Sequence, residues 1–223
     1  MPRRTAPLVT GEYYHVYNRG VARQPVFLTK RDYERFLLTL SYYRFLKPSA
    51  KLSRFLTLSQ GERARMMGRA TQTSERLVEL ISFVLMPNHF HLLVRQSADH
   101  GISTFVGRIT NSYTRYFNTK HDRVGPVFQG AFKTVRVETD EQLIHLSRYI
   151  HLNPLVSHVA KESTWLSYPW SSLMDFRQGR SALVERAPVL EHFASPKEYE
   201  RFMLDRADYL KKLNQIKHLA LEA

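Results

Sequence analysis

The spacing of apolar and polar residues in the first third of the chain predicts a strand and a helix. The stretch from Glu12 to Val21 is rich in β-forming residues and closes on an Arg-Gly pair, which favours a strand that ends in a turn. Apolar residues then recur at helical spacing from Phe36 to Tyr43. Between residues 47 and 76 the chain is basic and is interrupted by Pro and Gly, so we expect no single long element there.

The middle of the chain adds a hairpin and further helices. The sequence LVELISFVLM predicts a strand, Pro87-Asn88 a tight turn, and HFHLLVRQ the antiparallel partner strand. Residues 101–121 carry the apolar stripe of a helix, and FKTVRVET predicts a short strand. DEQLIHLSRYIHLN predicts a helix that stops near Pro154. The order β-α-β-β-α-β followed by a helix is the ferredoxin-like order, so we expect an α+β fold whose antiparallel sheet carries helices on one face.

The last quarter of the chain has a different pattern. Past Trp170 the periodicity loosens, and an amphipathic helix is predicted from Ser195 to Leu219. We therefore expect residues 1–160 to form the main domain, with a basic insertion at about 47–76. Residues 161–223 are expected to form a helical C-terminal extension packed on it.

Charge and composition narrow the class of protein. The formal net charge of +13 suits a polyanionic partner, nucleic acid first and an anionic membrane surface second, although a solubilising surface charge would also account for it. The absence of cysteine excludes disulfides, zinc thiolate sites and thiol nucleophiles. The sequence shows no apolar run of membrane-spanning length and no signal-peptide core. We therefore expect a basic cytoplasmic protein that does not enter membranes.

Two histidines lie in the mostly apolar stretch LMPNHFHLLV. Side chains alternate along a strand, so His89 and His91 project from one face and Phe90 from the other. Two neutral imidazoles placed in this way can share one divalent ion, but the pair alone equally suits hydrogen-bonded structural groups. A histidine-triad hydrolase would need a third histidine where the chain has Leu93. A zinc protease would need a helical pair with an intervening Glu.

A second set of candidate residues lies in the helix RYIHLNP. Tyr149 and Asn153 are four residues apart and share a helix face, whereas His151 falls off it and is left out of the metal site. A helix with a tyrosine hydroxyl and an amide oxygen, above a sheet with two imidazoles, fits attack by tyrosine on a metal-polarised phosphodiester. The covalent phosphotyrosine retains the energy of the broken bond, so rejoining needs no ATP. Tyr113 and Tyr116 are rival nucleophiles, but they lie in an apolar stripe that indicates core packing.

Six stretches in the same order, over about 160 residues, resemble one family: YHVYNRG, LMPNHFHLLV, NSYTRYFNTKH, GPVFQGAFK, LSRYIHLNP and YPWSSL. The resemblance is to the single-tyrosine HUH (His-hydrophobic-His) transposases, especially the REP-associated and related short bacterial ones. It implies a metal-dependent transposase that nicks and joins single-stranded DNA through a 5′-phosphotyrosine. If the roles known in that family are transferred to the matching positions, Tyr149 is the nucleophile, and Mg²⁺ or Mn²⁺ is held by His89, His91 and Asn153. The family commonly has Arg where this chain has Ala131, which predicts a lost phosphate contact.

The expected partner is single-stranded or hairpin DNA, and a homodimer is left open. We predict DNA contacts at four basic residues: Arg19, Lys133, Arg136 and Arg148. The last three equally suit solvated charges, whereas Arg19 is the better candidate because the neighbouring Gly20 permits close approach of the backbone to a ligand. Two other functions compete with the transposase. One is a non-catalytic nucleic-acid-binding regulator, because ferredoxin-like sheets also serve as stacking platforms. The other is an HUH replication-initiator nuclease. A regulator would have no use for the His-His-Tyr-Asn set, and the transposase-specific stretches count against the initiator.

Overall fold

A four-stranded antiparallel sheet organises the chain in the computed structural model, which describes residues 7–48, 50–73, 75–179 and 181–205. The strands are β1 Tyr13–Arg19, β2 Val78–Met86, β3 His89–Gln96 and β4 Lys133–Val137. They lie in the order β2-β3-β1-β4, and each pairs antiparallel with its neighbour. All four predicted strands and the α+β class are thus confirmed.

Helices fill the connections between the strands and follow the sheet. They are α1 Lys30–Tyr43, α2 Leu52–Thr57, α3 Gln60–Thr73, α4 Gly101–His121, α5 Asp140–Val156, α6 Leu173–Gln178, α7 Ala187–Leu190 and α8 Pro196–Leu204. The bounds predicted for α4 are confirmed, and the basic insertion divides into the two short helices α2 and α3. Among the described residues, no helix combines the length and the apolar character that crossing a membrane requires.

The sheet is covered on both faces. Helices α1 and α4 pack on one face, where Phe36 meets Phe90 with ring centroids 5.2 Å apart. Helix α5 covers the opposite face, where the rings of Tyr149 and His91 are 5.5 Å apart. Phe90 and His91 are neighbours on β3 and therefore point to opposite faces. The strand alternation thus separates an apolar layer from a layer that contains the imidazoles.

Helix α5 begins and ends close to the positions that the sequence predicts. Its N-terminus is capped by Thr139, whose side chain accepts a hydrogen bond from the backbone N–H of Gln142. The predicted end near Pro154 is confirmed, because Pro154 lies in the last turn of the helix, which runs to Val156. Proline removes one backbone donor from a helix. The last turn still closes, since the N–H of Ser157 donates to the carbonyl of Asn153 at 2.9 Å.

The described part of the C-terminal segment packs on the same hydrophobic core. The YPWSSL stretch runs beside β2, where the N–H of Leu85 donates to the carbonyl of Trp170 at 2.8 Å. The Trp170 ring also stacks on Tyr33 of α1 at 4.6 Å. Helix α8 begins after Ser195, which caps it, and Tyr199 on this helix is fully buried. The predicted continuation of this helix to Leu219 lies outside the described residues.

Helix α4 starts in close contact with the first residues of the hairpin. A Cβ atom added to Gly101, its first residue, would lie 2.1 Å from the carbonyl oxygen of Leu77. By contrast, a Cβ added to Gly107 in the same helix would meet nothing within 4 Å. Glycine is therefore needed sterically at the first position and not at the second.

Candidate active site

The two HUH histidines lie side by side on the face of the sheet that α5 covers. In the strand register, His91 is opposite Tyr17 of β1, and His89 is opposite Arg19. Their ring centroids are 4.9 Å apart, and the ring planes are nearly perpendicular at 87°. His91 is only 1% exposed, whereas His89 is half-buried. The alternation of side chains thus produces the shared face that the sequence predicts.

Both rings are held through their Nδ1 atoms. His89 Nδ1 lies 2.6 Å from the side-chain oxygen of Asn88, and Asn88 in turn donates from Nδ2 to the carbonyl of Arg23 at 3.2 Å. His91 Nδ1 lies 2.9 Å from Nε2 of His15. With Nδ1 as the hydrogen-bonding atom in each ring, Nε2 is the nitrogen with which each histidine would ligate a metal. Metal-binding histidines are ordinarily oriented by a partner in this way.

His15 is a site residue that the sequence reasoning missed. It is fully buried on β1, stacks on Tyr17 at 4.8 Å and on His91 at 5.0 Å, and makes the hydrogen bond to His91. The signal was present in YHVYNRG, since a histidine within an apolar strand is unusual. Its partner could be identified only from the register between β1 and β3.

Helix α5 brings Tyr149 to the histidines. The Tyr149 ring lies 5.5 Å from His91 and 6.3 Å from His15, edge-on to both, and the residue is 7% exposed. Asn153, one turn further along α5, is also buried, and its Oδ1 accepts a hydrogen bond from Ser157 at 3.4 Å. One tyrosine hydroxyl, two imidazoles and one amide oxygen are therefore all contributed by the β3–α5 side of the sheet.

The rival tyrosines belong to the opposite layer. The Tyr113 hydroxyl donates to the carbonyl of Val26 at 2.5 Å, and the Tyr116 hydroxyl donates to Asp32 Oδ1 at 3.0 Å. Burial raises the pKa of both phenols above the usual range. A high pKa disfavours the phenolate, and both hydroxyls are engaged within the fold. Neither residue is therefore placed to serve as the nucleophile of the histidine site.

A cavity of about 370 Å³ opens beside the histidine pair. It is lined by Tyr17, Asn18, Arg19, Arg23, Asn88, His89, His91, Gln129, Ala131 and Lys133. Two of the four predicted DNA-contacting residues, Arg19 and Lys133, are thus beside the histidines. Arg19 Nε donates to the side-chain oxygen of Gln129 at 2.8 Å, which orients its guanidinium. Ala131, where the related family commonly has Arg, contributes to the same wall.

The other two predicted DNA contacts lie elsewhere. Arg136 pairs with Tyr14 in the register, which puts it on the face away from the histidines, and it forms an ion pair of 3.0 Å with Glu12. The prediction for Arg148 needs correction, because this residue is 0% exposed. Its guanidinium packs 4.4 Å over the ring of Phe202 and donates to the carbonyl of Asp205. A fully buried guanidinium has no surface with which to contact a phosphate.

His151, on α5, is structural, which agrees with leaving it out of the metal site. Its Nδ1 lies 2.7 Å from the Tyr199 hydroxyl, and its Nε2 lies 2.7 Å from the Ser172 hydroxyl. Ser147, also on α5, contacts the same tyrosine hydroxyl at 2.9 Å. Burial lowers the pKa of His151 to about 3, so the ring is neutral at ordinary pH. This buried cluster ties α5 to α8 and to the YPWSSL stretch.

The site thus places a tyrosine on a helix above a His-hydrophobic-His strand. Residues 46–153 match the family model described as "Transposase IS200 like". This range contains both histidines, Tyr149 and Asn153. Over these residues, which make up just under half of the chain, the sequence is similar to the IS200-like transposases, which are single-tyrosine DNA nicking and joining enzymes. Members of this family are typically metal-dependent.

Comparison with solved structures supports the fold. The chain is similar to a REP-associated tyrosine transposase whose structure is bound to a REP hairpin, with 14% identity, a TM-score of 0.53, and coverage of 83% of this chain and 90% of that one. It also matches the tRNA(His) guanylyltransferase of Saccharomyces cerevisiae at 10% identity, covering 98% and 82%, but the TM-score of 0.34 carries no argument. No protein of curated function matches the sequence.

Proposed function

We propose that this chain is a transposase that nicks and rejoins single-stranded DNA with Tyr149 as its nucleophile. The observation that carries the proposal is the position of the Tyr149 ring, 5.5 Å from His91 and above the imidazole pair. The sheet order β2-β3-β1-β4, with α1 and α4 as the crossing helices, supports assignment of the scaffold to the ferredoxin-like class. In this reading residues 1–160 form the catalytic domain, and the segment from 161 onward is its extension.

The residues present fit a divalent ion. His89, His91 and Asn153 would supply two imidazole nitrogens and one amide oxygen. Neutral imidazole is a common ligand of divalent metal ions, and the amide oxygen is a ligand of the type that Mg²⁺ and Mn²⁺ prefer. When bound, the ion would polarise the scissile phosphodiester.

The chain's own residues account for the covalent step. The Tyr149 oxygen attacks phosphorus, an O–P bond forms, and the bond from phosphorus to the 3′ oxygen breaks. The departing 3′ oxygen leaves as a hydroxyl, so the proton lost by the tyrosine is balanced by the one gained there. The DNA on the 3′ side of the nick stays attached to the enzyme through its 5′ phosphate. Attack by another 3′ hydroxyl on this ester restores the phosphodiester and frees Tyr149.

The cavity beside the histidines supports single-stranded DNA, or the unpaired arm of a hairpin, as the substrate. Arg19 and Lys133 line it and can pair with phosphates, and Tyr17 adds an aromatic ring. Basic side chains together with aromatic rings are the usual composition of single-strand sites. Arg23 and Asn88 add further hydrogen-bond donors to the same wall.

The alternative function is a non-catalytic DNA-binding regulator. A variant of Tyr149 that lacks only the hydroxyl oxygen distinguishes it from the transposase. Tyr149→Phe removes only the hydroxyl oxygen, so folding and DNA binding should survive while cleavage is lost. Tyr116→Phe is the matched control, because it removes a hydroxyl from the opposite layer and should leave cleavage intact. The assay is formation of a denaturant-resistant adduct with single-stranded DNA labelled on the 3′ side of the nick.

The same assay tests the metal. Adduct formation should stop in excess chelator and return with Mg²⁺ or Mn²⁺, and His89→Ala or His91→Ala should abolish it. Peptide mapping should place the adduct on SRYIHLN. An adduct that persists in Tyr149→Phe, or full cleavage in excess chelator, would overturn the assignment.

A further inference from the structure

A short turn between β1 and α1 holds two successive residues in the left-handed region of the backbone angles. Ala22 has a φ of 52° and a ψ of 30°, and Arg23 has a φ of 59°. Residues other than glycine seldom adopt a positive φ, so two in succession are strained. Such strain persists only where the surrounding structure enforces it, and it is concentrated at functional sites. We call residues 20–24 the left-handed turn.

Backbone hydrogen bonds hold the left-handed turn against the hairpin that joins β2 to β3. The N–H of Gly20 donates to the carbonyl of Asn88 at 2.7 Å. Just beyond the turn, the N–H groups of Val26 and Phe27 donate to the carbonyl of Pro87 at 2.8 and 3.0 Å. A Cβ atom added to Gly20 would lie 2.1 Å from a backbone oxygen at the far end of the turn, which therefore also closes tightly on itself. These contacts enforce the strained conformation.

One side chain connects the left-handed turn to the proposed metal site. The carbonyl of Arg23 accepts a hydrogen bond from Asn88 Nδ2 at 3.2 Å. The oxygen of the same amide, Asn88 Oδ1, lies 2.6 Å from His89 Nδ1. Because the amide donates through its nitrogen to Arg23, it presents an acceptor to the imidazole, and a neutral His89 carries its proton on Nδ1. This is the tautomer that a histidine needs in order to ligate a metal through Nε2.

Arg23 has two groups beside the site, and they differ in how they depend on the sequence. Its guanidinium lines the cavity next to the histidines, so its positive charge suits a DNA phosphate. Its carbonyl carries no net charge, and the backbone angles of the turn set the direction in which it points. Asparagine tolerates a positive φ, whereas a β-branched residue does not. Substitution can therefore remove the charge while it either keeps or disfavours the left-handed conformation.

We propose that Arg23 and Asn88 are positioning residues of the metal site, and that Arg23 acts there through its backbone carbonyl rather than through its charge. The left-handed turn aims this carbonyl at Asn88, and Asn88 fixes the ring and the tautomer of His89. Relaxation of Arg23 to a negative φ would redirect the carbonyl, so the strain is needed for the contact. The inference rests on the proposed function, because that function assigns the metal to His89.

The first test compares two variants that lose the same charge. Arg23→Asn keeps a residue that tolerates the left-handed conformation, whereas Arg23→Val introduces a β-branched residue that does not. Mn²⁺ alone is titrated into each full chain by calorimetry, without DNA. Arg23→Asn should bind Mn²⁺ as tightly as the parent chain, and Arg23→Val should bind it about 10-fold more weakly. Equal Mn²⁺ affinities in the two variants would overturn the proposal, because an effect of charge would be the same in both.

A second variant and a measurement without metal test the link through Asn88. Asn88→Ala removes both side-chain hydrogen bonds and should weaken Mn²⁺ binding by about 10- to 100-fold. In the metal-free protein at mildly alkaline pH, two-bond ¹H–¹⁵N spectra of the imidazoles show which nitrogen of His89 carries the proton. The parent chain and Arg23→Asn should have it on Nδ1, whereas Asn88→Ala and Arg23→Val should show a mixture of the two tautomers. An unchanged tautomer or an unchanged Mn²⁺ affinity in Asn88→Ala would overturn the proposal, even if Arg23→Val did not fold.

Failure of this inference and failure of the proposed function give different results, because these measurements involve neither DNA nor cleavage. A chain with the expected tautomers and Mn²⁺ affinities that forms no adduct with single-stranded DNA would overturn the proposed function alone. A chain that forms the adduct, while Asn88→Ala keeps the tautomer and the Mn²⁺ affinity of the parent, would overturn only the positioning roles.

Discussion

Lowering the pH should weaken the attachment of α5 to the C-terminal segment, because His151 is buried in its neutral form. The ring is enclosed by the hydroxyls of Tyr199 and Ser172, and burial lowers its pKa from 6.5 to about 3. Above pH 6.5 the histidine is neutral in both the folded and the unfolded chain. Between 6.5 and about 3 the unfolded chain binds a proton that the folded chain does not, so stability falls as the pH falls.

The size of this effect follows from the two pKa values. Each pH unit in that window costs about 1.4 kcal/mol per proton, and the unfolded histidine titrates gradually around 6.5. Between pH 7 and pH 5 the contribution of His151 to the free energy of unfolding should therefore drop by about 2 kcal/mol. That is a large share of the stability of an ordinary domain.

Urea unfolding at pH 7, 6 and 5 measures this loss, and His151→Gln isolates it. Glutamine keeps a hydrogen-bonding side chain but does not titrate, so the variant should lose about 2 kcal/mol less than the parent chain over the same pH range. His192→Gln, at an exposed position, is the matched control. Equal losses of free energy in the parent chain and in His151→Gln would contradict the role assigned to His151.

Three further predictions concern the site, the fold and the partner. His15→Ala should weaken metal binding by about 10- to 100-fold, measured by calorimetric Mn²⁺ titration, because His91 loses its orienting partner; unchanged affinity would contradict that role. Gly101→Ala should lower the free energy of unfolding by about 1–3 kcal/mol, because its Cβ would clash with Leu77. Gly107→Ala should raise it by up to about 1 kcal/mol, because nothing lies near its Cβ. Thermal unfolding measures both changes, and changes of the same sign would contradict the steric difference between the two positions. The affinity for a hairpin with an unpaired arm should fall steeply as the salt concentration rises, because the chain carries a formal net charge of +13. This affinity should also be higher than the affinity for a matched full duplex. Equal affinities for the two DNAs would favour a duplex-binding regulator.

The sequence was sufficient to predict those features of the candidate site that depend on the spacing of nearby residues. The shared face of His89 and His91 follows from strand alternation, and the proximity of Tyr149 to Asn153 follows from the helical repeat. The four strands and α4 were predicted on the same basis. These features depend on residues that are close in the chain, so a periodic pattern is enough to place them.

Predictions were incomplete or wrong where distant segments meet. The contact between His15 and His91 joins residues 76 apart in sequence, and only the β1–β3 register reveals it. Arg148 was predicted to be a surface residue that contacts DNA, but Phe202 and Asp205 of the C-terminal segment cover it. Each case depends on tertiary packing that local patterns do not encode.

Within this structure, one chain supplies both the tyrosine and the histidines. The rings of Tyr149 and His91 are in edge contact between α5 and β3 of the same molecule, and the buried His151 cluster fixes the rotation of α5 from its other side. On the proposed roles of His91 and Tyr149, we therefore expect that two differently damaged copies do not repair one another. A cell that carries one gene with His91→Ala and another with Tyr149→Phe should then be as inactive as a cell that carries either alone.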